Sequence, residues 1–177
     1  MPHIHTEPGQ HDHTVTLYVI RVDGDEPEVL LHLHRKLGRL LPVGGHIELD
    51  ETPWQAAAHE LREESGYALE ELKILQPKNR IKNLTNAVIH PVPVVYNTHT
   101  ITTDHLHSDT AYAFVATSDP SAEVNAGESL DLRWLAATEL RKLTDTEIFP
   151  STRTVYEFIL KTILKEWVEV PTGDFQL

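Results

Sequence analysis

The chain has 177 residues, 40% of them hydrophobic, which is enough for one globular domain with a sizeable core. Its 27 acidic against 15 basic residues give a net charge of -12 with 12 histidines counted neutral, excluding a generic binder of duplex nucleic acid but not of small anions bridged to carboxylates by a cation. Without cysteine there are no disulfides, thiolate nucleophiles or zinc ribbons, and without a signal segment or an apolar run of about 18 residues the expectation is a soluble cytoplasmic protein with no membrane partner.

No repeat or linker divides the chain, so one domain over 1–177 is expected, with the His-rich segment 1–13 peripheral to it. Residues 14–22 are rich in β-branched and aromatic side chains and end at Asp23-Gly24-Asp25, a turn signal. With 28–34 they predict a β-hairpin. The paired glycines Gly44 and Gly45 permit a tight backbone course. Thr52 then predicts an N-cap, Pro53 a first helical residue, Gln55 the capping-box partner and Gly66 the stop of a helix over 53–65. Further strands are predicted at 69–75, 87–96, 110–117 and 132–135, and helices at 137–143 and 151–168. Strands interleaved with three helices indicate an α/β or α+β fold, a mixed sheet covered on both faces.

On the 53–65 helix, Glu60, Glu63 and Glu64 fall within an arc of roughly 100°, beside an apolar stripe of Trp54, Ala57, Ala58 and Leu61. Three such glutamates could be a solvated face. Their mutual repulsion at i,i+3 and i,i+4 would be reversed in sign by a divalent cation. Histidine pairs at i,i+2 recur as His11 and His13, His32 and His34, and His105 and His107. On a strand that spacing puts both rings on one face, a geometry suited to zinc or copper as well as to a plain structural role. Tyr18, Tyr112 and Trp134 could stack on a base, although such residues in strands are usually core.

The spacing Gly45, five residues, Glu51, seven residues, His59-Glu60-Leu61-Arg62-Glu63-Glu64-Ser65-Gly66-Tyr67 closely resembles the Nudix box, G-x5-E-x7-R-E-U-x-E-E-x-G-U, with U a bulky apolar residue. Every fixed position is met except the arginine, where His59 stands. The run into the box from Leu30, and Glu128 through Leu135 with the helix after it, also look like the family's, so the resemblance extends over about residues 14–165.

The resemblance implies a Nudix-type α/β/α sandwich and hydrolysis of the diphosphate linkage of a nucleoside diphosphate derivative or related small-molecule diphosphate. It implies Mg²⁺ or Mn²⁺ to activate water and neutralise the diphosphate, as hard oxygen ligands would select. Carried over by position, Glu60, Glu63 and Glu64 look like carboxylate ligands, the Gly45 carbonyl like a backbone ligand, and Glu51 like a support for helix and loop. Glu128 is the candidate late-loop general base or additional ligand. His59 would keep a weakened orienting role, since Arg62 projects from nearly the opposite side of the helix. Lys36, Arg39 and His46, with His105 and His107, are candidate substrate contacts.

Three other readings compete. An isopentenyl-diphosphate-isomerase-like enzyme would call for a thiol that the chain lacks. A non-catalytic nucleotide-binding or regulatory module of the same fold would be favoured by degraded carboxylates, yet all are present. A histidine-based transition-metal protein is the third. Monomer and homodimer are both compatible, with residues 167–171 a candidate apolar contact for a partner.

Overall fold

The structure, a computed structural model, describes Glu7 and residues 9–177. Most of the segment expected to be peripheral, residues 1–6 and 8, lies outside that description. Strand β1, His11–Arg21, begins three residues before the expected start and takes His11 and His13 into the sheet. It is followed by β2 (Glu28–His34), β3 (Arg39–Leu41), β4 (Val43–His46), helix α1 (Pro53–Ser65) and β5 (Leu72–Gln76). Then come β6 (Val95–Thr102), β7 (His105–Ala116), β8 (Leu132–Ala136), the short α2 (Ala137–Leu140), α3 (Pro150–Phe158) and β9 (Val168–Pro171).

All strands join one mixed sheet along the path β3-β2-β1-β7-β5-β9, with β4 paired to β1, β6 to β7 and β8 to β2. Among the strand pairs of the described residues, only β1 and β7 run parallel, from His11 opposite Leu106 to Ile20 opposite Val115. The expected hairpin exists but is shallow: β1 meets β2 only at Ile20–Val29 and Arg21–Glu28, while its first half pairs with β4. β1 thus leaves one neighbour for another along its length.

Period-2 alternation explains how both faces are filled. Val15, Leu17 and Val19 of β1, with Tyr112 and Phe114 of β7, pack with Trp54, Ala57 and Leu61 of α1. Tyr18, Ile20, Ala111, Ala113 and Val115 face the other way, toward Tyr156, Ile159 and Ile163. The sheet is therefore sandwiched between α1 and the C-terminal helix, as expected. The candidate base-stacking residues Tyr18 and Tyr112 are buried in these cores, edge-on to Tyr156 and Trp54 respectively. Trp134 lies under the guanidinium of Arg21, 4.0 Å from its ring centroid.

Three expectations are corrected. The strand predicted at 87–96 is a loop until Val95, because Pro91 and Pro93 remove two donors from any ladder there. Buried Gln76 substitutes for the missing pairing: Val92 donates its N–H to Gln76 Oε1 at 2.9 Å and Gln76 Nε2 donates to the Val92 carbonyl at 3.0 Å. The long C-terminal helix is broken up, α3 passing into a π-helical turn at Ile159–Ile163 and a last turn at Leu164–Glu166. Beyond it, residues 168–171, expected as an exposed tail, form edge strand β9, paired antiparallel with β5 from Gln76–Val168 to Lys73–Pro171.

Helix α1 has the predicted bounds and caps. Gln55 N donates to Thr52 Oγ1 at 3.2 Å, Thr52 N donates to Gln55 Oε1 at 2.9 Å, and Gly66 closes the helix at φ 77°. Gly66 is required twice over, since a Cβ there would stand 2.1 Å from the Ala122 carbonyl oxygen. Loss of the N-cap in Thr52→Ala is expected to cost about 1 kcal/mol, read as a lower urea midpoint at unchanged slope. An unchanged midpoint would show that tertiary packing alone sets where α1 begins. Among the described residues no helix is long and apolar enough to cross a membrane.

Candidate active site on helix α1

The edge of α1 that overhangs β4 carries the carboxylates. Glu60 and Glu64, one turn apart, are 4% and 8% exposed, so two carboxyl groups that would repel when ionised are buried on one helix edge. Glu64 Oε2 accepts the Gly44 N–H at 2.9 Å, which ties the helix to the glycine loop. That loop needs glycine: at Gly44, φ 151°, a Cβ would lie 2.2 Å from the Val15 carbonyl oxygen. Neighbouring Gly45 pairs with Val15 in the sheet.

Burial, reinforced by Glu64, raises the Glu60 carboxyl to about 8. Burial also raises Glu64 to about 7, although the Gly44 N–H pulls it back, and Glu128 adds a repulsive charge to both groups. Glu128 is therefore felt within the site although it comes from the loop after β7. The loop is held there by Arg35, whose guanidinium donates to the Gly127 and Glu128 carbonyls at 3.2 and 2.7 Å.

Glu63 is half-exposed at the rim. His59 lies between it and Glu51, with Nδ1 3.2 Å from Glu51 Oε1 and Nε2 3.3 Å from Glu63 Oε2. Burial alone would lower the His59 pKa, but Glu63, Glu60 and Glu51 together raise it, favouring the charged imidazolium. Glu51 Oε2 in turn accepts the Glu48 N–H at 3.3 Å. Arg62 is engaged elsewhere, donating to the Gly66 carbonyl and to Ser121 Oγ, each at 3.2 Å.

Two neighbours were not foreseen from the sequence. Asn125 donates its side-chain amide to Glu63 Oε1 at 2.9 Å and its backbone N–H to the Glu63 carbonyl at 2.8 Å. Buried His32, 3.8 Å from Glu64, is held neutral by burial and by His34, its pKa lowered to about 4.

The other candidates fall elsewhere. Lys36 is in the exposed turn between β2 and β3. Arg39 is stacked on Phe149, 4.3 Å from the ring centroid. His46, His105 and His107 gather around Asp12 at the ends of β1, β4 and β7, the residue after Gly45 being the link to the box.

The donor set fits a hard divalent cation. Glu60 Oε1 is fully buried with no hydrogen-bond partner among the described residues, a costly arrangement for a carboxylate unless a positive charge completes it. Glu64 lies one turn along on the same buried edge and holds the glycine loop through the Gly44 N–H, with Glu63 at the rim.

A model of the NUDIX domain matches residues 11–157, and the chain belongs to that family. The match begins at His11, earlier than expected, and ends within α3. A sequence comparison with curated proteins returned no match. Among solved structures, a NUDIX-family hydrolase from Clostridium perfringens superposes with TM-score 0.70 at 26% identity, covering 85% of this chain and 96% of that one. The Ap4A hydrolase of C. elegans gives TM-score 0.59 at 16% identity, covering 84% and 95%. The dihydroneopterin triphosphate pyrophosphohydrolase of E. coli gives TM-score 0.59 at 17% identity, covering 86% and 95%; at these identities the last two show the fold alone. Membership of that family and likeness to its hydrolases make the protein a Nudix hydrolase, an enzyme acting on pyrophosphate bonds.

Proposed function

We propose that the protein is a Mg²⁺- or Mn²⁺-dependent hydrolase of a nucleoside diphosphate derivative or related organic diphosphate, with Glu60, Glu63, Glu64 and the Gly45 carbonyl as the cation's ligands. The observation that carries this reading is the pair of buried, adjacent carboxylates Glu60 and Glu64 beside a glycine loop, which needs a cation to be ionised at neutral pH. A bound divalent cation supplies charge neutralisation of the diphosphate and acidification of the attacking water. Glu128, whose charge is felt by Glu60 and Glu64, would serve as the general base toward water or as an additional ligand. The Gly44 N–H fixes the position of Glu64, and Asn125 fixes that of Glu63. His59 orients Glu63 against Glu51 and offsets part of the acidic charge. The Ap4A and dihydroneopterin triphosphate enzymes of the same fold support nucleotide-derived polyphosphates as the first compounds to try.

The direct test is a panel of nucleoside diphosphate derivatives and dinucleoside polyphosphates with Mg²⁺ and with Mn²⁺, products resolved to show which phosphate bond is cut. Turnover of at least one member is the expected outcome. Tight binding of one member without turnover under either metal would point instead to a binding module.

His59 provides a second, smaller test. His59→Gln is expected to lower kcat about 10-fold near pH 6, where the native side chain is charged, with the deficit shrinking toward about pH 8.5 as the native imidazolium deprotonates. His59→Arg should remain active without that pH dependence. Unchanged turnover in His59→Ala across the same range would remove His59 from the mechanism.

A further inference from the structure

Outside the α1 site, the ends of three strands, β1, β4 and β7, bring histidines together around one buried carboxylate. Asp12 of β1 is 0% exposed and stands opposite His107 in the parallel register with β7. Its Oδ2 lies 3.1 Å from His105 Nε2 and 3.4 Å from His46 Nε2. The His107 ring centroid is 5.3 Å from that of His105 and 4.9 Å from that of His46. A ligand atom from each of Asp12, His105 and His107 lies within 4.8 Å of the others.

We infer that Asp12, His105 and His107 form a second metal site, specific for a transition-metal dication of the zinc type, with His46 held against the same carboxylate. The chemistry separates it from the α1 site: imidazole nitrogens with one carboxylate select zinc-type ions, whereas an all-oxygen set selects Mg²⁺ or Mn²⁺. The geometry is close to what is needed. Ligands about 2.1 Å from a tetrahedral ion stand about 3.4 Å from one another, and the two Asp12–histidine distances already match that edge. His107 offers a ligand atom within 4.8 Å of both, the gap that ion binding would close.

The position suggests a brace. His46 follows Gly45 in β4, Asp12 is the second residue of β1, and His105 and His107 open β7. An ion there joins the start of β1 to β7 and to the strand that leads into the box. It is placed to hold the sheet end, apart from the carboxylates that carry the hydrolysis.

The test uses the full chain without a polyhistidine tag, equilibrated with Zn²⁺ in a large excess of Mg²⁺ and then desalted. About one equivalent of zinc should be retained per chain, and Co²⁺ in its place should show the visible bands of a four-coordinate N/O site. His107→Gln and His105→Gln should each weaken zinc binding by more than the 10- to 100-fold that loss of an outer partner costs. Circular dichroism of the metal-free variants reports whether they fold. Asp12→Asn, which keeps the side-chain shape, serves as the second variant should a histidine variant fail to fold. Glu63→Gln should retain zinc like the native chain. Zinc retention unchanged in the folded His105, His107 and Asp12 variants would overturn the site. So would zinc that is displaced by Mg²⁺ or lost in Glu63→Gln, since that ion would belong to the α1 carboxylates.

Discussion

Glu63→Gln is expected to lower kcat/KM on a diphosphate substrate by about 10²- to 10⁴-fold, while changing stability by no more than about 0.5 kcal/mol. The two effects separate because Glu63 is at the rim. Glutamine retains an oxygen to accept the Asn125 amide and fills the same volume, so the fold loses little. What it loses is a negative charge at the one box carboxylate that is both half-exposed and fixed from two sides, by Asn125 and His59. Glu60→Gln should be comparably inactive for a different reason, removal of a buried ligand. The two variants therefore differ in stability: Glu60→Gln should make the metal-free protein more stable above neutral pH, because it removes a buried charge that Glu64 repels. Full activity in Glu63→Gln would place the chemistry elsewhere.

The second large effect is a reversal of pH dependence by metal. Burial lifts Glu60 from 4.5 to about 8 and Glu64 from 4.5 to about 7. Both folded values lie above those of the unfolded chain, so the folded state holds protons that the unfolded state has released. The corresponding stability is complete below 4.5 and is lost as pH rises through about 7 and then about 8. Metal-free protein should thus melt at a lower temperature at alkaline than at mildly acidic pH. Saturating Mg²⁺ should restore it, by about 2.7 kcal/mol at a hundredfold excess over Kd, with the larger gain at the pH where the carboxylates are ionised. Thermal melts of the native chain and Glu60→Gln, with EDTA and with Mg²⁺, check this. A metal-free slope identical in the two proteins would show that Glu60 does not carry it.

The parts of this site that were legible beforehand are those governed by local rules. Thr52, Gln55 and Gly66 specify the ends of α1 within a few residues of themselves, and the 3.6-residue period then places Glu60, Glu63 and Glu64 on one edge. The glycine pair before the helix was equally readable, although the contact of a Gly44 Cβ with Val15 is visible only once β4 lies on β1. What escaped depended on chain folding over long separations. Asn125 reaches Glu63 across 62 residues on a loop that carries no periodic signal. The pairing of β9 with β5 turned an apparently exposed tail into an edge strand. The run from 87 to 94 was misjudged because its valines suggested a strand, whereas Pro91 and Pro93 decided the matter. The histidine pairs were visible as i,i+2 spacings, but nothing in the sequence marked Asp12 as the carboxylate among them, since its proximity to His105 arises from the parallel β1–β7 register.

Metal-dependent cleavage of a diphosphate by the α1 carboxylates is tested most directly by hydrolysis in ¹⁸O-labelled water with the best panel substrate. Native protein, Glu60→Gln and Glu63→Gln are compared in EDTA and across a Mg²⁺ titration. The expected result is no turnover in EDTA, saturable recovery with Mg²⁺ in the native chain, label in the released phosphate product and near-absence of turnover in both variants. Turnover that persists in EDTA, or that survives both substitutions, would contradict it.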